Sequence, residues 1–536
     1  MAEPTPRPDR PGRRGPARPL LALAALLPLA AAVAAVSTVD PTEQTPVTRA
    51  VSTAQQGGET LACAGPLSLP EALLEGGGDA ELSVTPPSTT VGLRTVSLEP
   101  DSSVLFGTVS ASSTLQDDQG RVRTPSITAS DAEGTVLSDA SAAEDLGVSV
   151  QTLTDLEAAP SVRTETSEAG LPVADAVQST STTSGDYRSL MISRCGAAQT
   201  DAAFLGVSTE TGDSSVLVLR NPTTRPATAS VQVWTADGPA AMEGRSQVVV
   251  APGAEETVLL ESVAAGEAAL GVDVSVLGAP LQMHVQTTER DGLTPGGAEI
   301  QQPLPAADEQ QIMTGVETAG ISPVLTLANP SGADTRARVR VLGADGPLDA
   351  AEVPEVELPA GAVVQVPLED LPTGTWSVEV NAEAPVHAAT RSSQAGVDLA
   401  GDTVSNPVDF TFAVAAPAIG TSALLALPAQ GAAGVLSLTA TEDTAVTLVP
   451  LYADGTAGEP VEVEAAAGTA VGVTDEPLRR GAEKPAAVTV VPDVPGVLHA
   501  SWTQRENDGT GGVLLSSLPV LPARLGANEV MVRLAD

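Results

Sequence analysis

The chain has 536 residues, which at about 100–200 per domain means three to five domains rather than one core. Its 26 Lys+Arg stand against 67 Asp+Glu, a formal net charge of -41, which excludes a nucleic-acid binder because phosphates require a basic face. A hydrophobic content of 42% rules out wholesale disorder, and two cysteines rule out a disulfide-dense mini-protein or a zinc-ribbon array.

Residues 1–19 carry Arg7, Arg10, Arg13, Arg14 and Arg18 among prolines. An uncharged apolar run, Leu20–Val36, follows. A basic flank before an apolar run has the pattern of a secretory signal or signal anchor, with everything beyond it exported. At ~1.5 Å per residue the run spans roughly 26 Å, close to a ~30 Å hydrocarbon core. The reading is a basic cytoplasmic region at 1–19 and a transmembrane signal anchor at 20–39. Cleavage at the small residues Ala30–Ala32 and Ala34–Ala35 is the alternative. Residues 40–60 are polar and rich in Pro, Thr and Gln, which reads as a flexible stalk.

Residues 61–197 are rich in Ser, Thr and Val and are expected to be β, apart from one short helix in LSLPEALLEGGG at 67–78. Cys63 and Cys195 bracket this segment. In an exported chain a lone pair of cysteines is expected to form one disulfide.

Beyond it the sequence repeats. Val216–Thr223 and Val324–Ser331 are alternating strands that stop at Asn-Pro, because proline cannot continue a ladder. Each leads to a second strand ending in Ala-Asp-Gly, at Asp237-Gly238 and Asp345-Gly346, and a third copy without Asn-Pro ends at Asp454-Gly455. A period of about 110 residues, with short strands and frequent turns, predicts immunoglobulin-like β-sandwiches rather than a solenoid. The expected repeats occupy 198–309, 310–417 and 418–536. The fold class is all-β, an N-terminal transmembrane or signal helix followed by tandem immunoglobulin-like sandwiches. The loop tips Asp237, Gly238, Asp345, Gly346, Asp454 and Gly455 are the candidate interaction sites.

Chemistry is sparse. His284, His387 and His499 occupy the same place in successive repeats, which in separate sandwiches keeps them too far apart to share a zinc ion. There is no G-x-S-x-G, H-E-x-x-H or P-loop motif. Trp234, Trp376, Trp502, Tyr187 and Tyr452 do not recur as a set and are expected to fill cores rather than form a sugar platform. No catalytic residue, metal or cofactor is expected.

Cys195, Phe204-Leu205-Gly206, Asn221-Pro222-Thr223, Arg225-Pro226-Ala227 and Asp237-Gly238, with Cys63-Ala64-Gly65-Pro66 upstream, carry a resemblance. Together they resemble a family of uncharacterised actinobacterial secreted or membrane-anchored proteins, defined by a domain of unknown function that covers most of the chain. The resemblance implies an envelope location and brings no catalytic residues. The expected function is a non-enzymatic, exported β-sandwich scaffold at the cell surface. Its expected partners are the membrane, through the N-terminal segment, and other envelope proteins or cell-wall polymers. A cell-wall carbohydrate-binding protein and an exported hydrolase are the rivals.

Overall fold

A computed structural model describes residues 52–55, 58–69, 87–110, 124–131, 134–139, 142–144, 146–165, 170–242, 244, 246–292, 294–349, 353–397, 405–429, 433–510, 512–524 and 529–532. The basic region expected at 1–19, the anchor expected at 20–39 and most of the helix expected at 67–78 lie outside these residues. Among the described residues no helix is long and apolar enough to cross a membrane. Of the segment expected to be a stalk, Ser52–Gln55 is a strand paired with Glu529–Val532, and Glu59-Thr60 begin a strand that runs to Ala62. The chain falls into two compact units, 1–54 with 529–536, and 55–528.

Alternation dictates the strands of the larger unit. Ala227–Thr235 and Thr335–Gly343 place every second side chain in a core for most of their length. Their β-branched residues suit a pleated, half-buried surface. Strands Asp201–Val207, Leu270–Gly278, Ala227–Thr235 and Gln247–Val250 form one antiparallel sheet. Glu255–Leu259, Ser214–Arg220, Gln282–Asp291 and Thr294–Gln301 form a second. Leu217, Leu219, Val231, Val233, Val272 and Met283 from both sheets share one core, the arrangement of a β-sandwich. With these eight strands numbered along the chain, the sheets run 1-6-3-4 and 5-2-7-8.

The same order recurs from Ala423–Ala426 to Val513–Pro519. It recurs from Asp308–Thr318 to Val408–Val414 as well, where strands six and seven are fused into the long Gly374–Ala395, so that both sheets count as one. It also recurs from Glu59–Ala62 to Ser189–Arg194, with one added strand, Ala142–Glu144. The segment without sequence repeats therefore has the connectivity of the repeats, and the larger unit holds four such modules.

The cores are not all separate, although the cluster around Met313, Leu325, Val339 and Val378 lies within the third module alone. Phe410 and Phe412, on the closing strand of the third module, pack into the core of the second. One apolar cluster joins Val96, Leu98, Val177 and Ile192 of the first module to Leu425, Leu438 and Leu448 of the fourth. In addition, each opening strand or the segment after it contacts the next module. Gln282 Nε2 donates to Ala62 O at 2.5 Å, and Ser68 N donates to Gln286 Oε1. Leu205 and Trp234 pack on Ala328, Val363 and Ala389. Ser501 Oγ donates to Thr314 O at 2.8 Å. Ala426 N donates to Asp175 Oδ2 at 2.9 Å, which brings the fourth module back onto the first. Four head-to-tail joints thus close a ring.

Candidate functional site

Cys63 and Cys195 are joined by a disulfide with Cα atoms 4.1 Å apart, and both are buried. The bond ties the residue after the first module's opening strand to the residue after its closing strand.

Asp237, Asp345 and Asp454 are exposed at their hairpin tips. Gly238 and Gly346 have φ of 110° and 111°, which favours glycine there. The first tip is not isolated, because a side chain added at Gly361 of the third module would meet Pro239. Asp454 binds Thr456 and Arg480, and these bonds, that of Thr456 above all, hold its carboxyl down at about 2 against the opposing effect of burial.

The histidines occupy three different joints. His284 lies beside Gln286, the residue that receives Ser68 N. His387 stacks with Trp234 of the preceding module at 6.3 Å. His499 Nδ1 is 2.7 Å from Ala416 O. Burial lowers all three, His284 to about 4 with help from Arg220, so they are neutral at neutral pH. Among the described residues no group of three or more His, Cys, Asp or Glu side chains is disposed to hold a metal. Trp234, Trp502, Tyr187 and Tyr452 are buried and Trp376 is half-buried.

The concentration of chemistry lies elsewhere, where the four closing strands meet. Ser189–Arg194, Thr294–Gln301, Val408–Val414 and Val513–Pro519 pack side by side in a closed circuit. Glu299 Oε2 accepts from Thr411 Oγ1 at 3.0 Å and from Ser516 Oγ at 3.1 Å, while its Oε1 accepts from its neighbour Ile300 N. Asp409 Oδ2 accepts from Leu515 N at 2.9 Å and from Leu190 N at 3.4 Å. Ile192 N donates to Ser516 Oγ, and Ser517 N donates to Thr411 Oγ1. These few side chains therefore link all four strands. Beside them Arg188 Nε donates to Asp508 Oδ2 at 2.6 Å, with both side chains buried.

Burial pushes Asp409 up to about 8, against the pull of the Leu515 and Leu190 amides and of Arg188. Burial raises Glu299 well above the usual range, the Ile300 amide opposes it, and the charge of Asp409 adds to it. For Asp508 burial also acts upward, but hydrogen bonds from Thr510 and Arg188 outweigh it and the carboxyl lies below its ordinary value. The hydroxyls paired with Glu299, those of Thr411 and Ser516, are buried with it, and each also accepts a backbone amide from a neighbouring closing strand. The arrangement binds strands to one another.

These residues escape sequence reasoning because polar residues alternate with apolar ones in strands such as VDFTFAV, a pattern that predicts one wet face. The local signal that both faces are covered is slight: Asp409 and Thr411 flank Phe410.

The family of unknown function DUF5719 matches residues 150–475. No curated protein matches the sequence. Among solved structures, native E. coli alpha-2-macroglobulin is similar at 9% identity and a TM-score of 0.10, a value that carries no weight for the fold. The match covers 80% of this chain and 28% of that one.

Proposed function

The chain belongs to the DUF5719 family of unknown function, and from that premise we propose that it is a non-enzymatic scaffold exported to the cell envelope. In this reading the N-terminal segment anchors a ring of immunoglobulin-like sandwiches outside an actinobacterial membrane, and the Asp237, Asp345 and Asp454 tips are offered to envelope partners. One observation carries the scaffold role. The polar site where the four closing strands meet spends its hydrogen bonds on holding those strands together. The buried Cys63–Cys195 disulfide supports an oxidising compartment. Burial of Trp234, Trp502, Tyr187 and Tyr452 weighs against a sugar-stacking reading, for which the half-buried Trp376 and the exposed Phe106 are the aromatic side chains left.

Protease shaving and crosslinking of intact cells test the proposal. The chain is expected in the envelope fraction, cleaved from outside, with both cysteines resistant to alkylation until reduced. A protease-protected cytoplasmic pool with free thiols overturns the location. Crosslinks that persist unchanged after all three tips are replaced overturn the role of the tips.

A further inference from the structure

The junction of the four closing strands buries two carboxyl groups that have no cation bound to them. Glu299 receives only hydroxyl and amide donors. Asp409 receives amides on Oδ2, and its Oδ1 is buried with no hydrogen-bond partner. Arg188, the cation that acts on Asp409, places Nε on Asp508, and its Nη1 and Nη2 are buried without partners. The other charges around the junction are engaged in pairs: Arg391 with Glu289, Arg290 with Asp186, Arg194 with Asp175 and Arg505 with Glu317. Glu506, at the outer end of Leu498–Asn507, faces Ser181, and Asp291 is exposed at the outer end of Gln282–Asp291.

An ionised carboxylate in such a place is costly without a partner, and two near each other are costlier. We propose that Glu299 and Asp409 form a proton-held lock, which keeps the four closing strands together while both carboxyls are protonated and loosens the ring as they ionise. The linkage follows from the geometry. Glu299 bridges the second, third and fourth closing strands, and Asp409 bridges the first, third and fourth. Charge on either therefore acts on every module at once.

The direction is fixed by the sign of the shift. Asp409 is held at about 8, above the ordinary ~3.9 of an unfolded chain. Its contribution to stability is complete below that lower value and is lost as pH rises through about 8. Glu299, raised as well, acts in the same direction. These two groups therefore tighten the ring progressively as the pH falls from about 8 towards ~3.9.

The test uses the full chain, unfolded in urea at pH values from about 6 to about 9. The wild-type folding constant is expected to fall with pH, by up to about tenfold per pH unit for each carboxyl that releases a proton. Asp409→Asn and Glu299→Gln are each expected to remove one proton's share of that slope, and the double variant both. Glu289, held at about 7, keeps a residual slope in all of them. A wild-type slope retained in the double variant overturns the lock. Should the variants fail to fold, carboxyl-labelled aspartate in the wild type decides by infrared titration. One aspartate carboxyl losing its proton near pH 8 sustains the proposal, and a full complement of ionised aspartates at about pH 6 ends it.

Discussion

Asn329 and Asn221 hold the same turn with the same bonds. Asn329 Nδ2 donates to Ala333 O and Leu358 O, and its Oδ1 accepts from Ser331 N and Oγ. Asn221 repeats this with Arg225 O, Val250 O and Thr223. Both asparagines are fully buried, so truncation strands the buried Leu358 and Val250 carbonyls. Asn329→Ala is expected to destabilise the chain by about 1–3 kcal/mol, read as a lower urea midpoint. Asn329→Asp keeps the acceptor but loses the donors, and is expected to rescue little. The Asn-Pro pair was legible in the sequence as a strand stop. Its division of labour was not, because proline accounts for the stop and hides the asparagine that fastens the turn to a distant strand.

At the scale of elements, the joints rest on close backbone approach. Gly315 interrupts Asp308–Thr318 at a register shift with φ of 73°, and an added Cβ would lie 2.6 Å from Ser501 Oγ and 2.7 Å from Thr503 Oγ1 of the next module. Gly206 takes the equivalent place one joint earlier, with φ of 93° and Phe412 at 3.2 Å. Gly315→Ala therefore carries two penalties, left-handed backbone and overpacking, and is expected to cost about 2–4 kcal/mol. Gly346, also at positive φ but with nothing within 4 Å, isolates the first. Equal losses of thermal stability in Gly315→Ala and Gly346→Ala would show that the joint contributes nothing. The strands themselves were legible, since period-2 alternation marks one face for a core whatever lies on the other. The joints were not. Their contact faces carry Gln282, Gln286, Ser437, Thr439, Ser501 and Thr503, all buried, whose polarity predicts contact with water. The first module was missed as a copy for a related reason. It lacks the Asn-Pro and Asp-Gly turns, yet its strand order and its closing strand match the others.

For the whole molecule, closure changes what a local break does. In a row of independent sandwiches, loosening one leaves the rest at their own stability. In a ring it weakens two joints and the shared junction. The first module offers a clean way to tell these apart, because the three tryptophans, Trp234, Trp376 and Trp502, all lie in the other modules. The disulfide closes a separation of 132 residues inside the first module, and the chain-entropy estimate for such a loop is about 5 kcal/mol. Its sulfurs touch the hydrophobic cluster of Leu61, Leu93 and Val162, away from any tryptophan. Cys63→Ser/Cys195→Ser is therefore expected to move the urea midpoint read by tryptophan fluorescence, together with the midpoint read by circular dichroism, in a single transition. The link runs from Cys195 through Arg194, which binds Pro519 O, and Ile192 N, which binds Ser516 Oγ, into the junction. A fluorescence transition that stays in place while circular dichroism shows an earlier, separate loss would mean that the modules unfold one by one. The closing strands would then be neighbours without being a lock, and the pH dependence of unfolding would belong to single modules rather than to the ring.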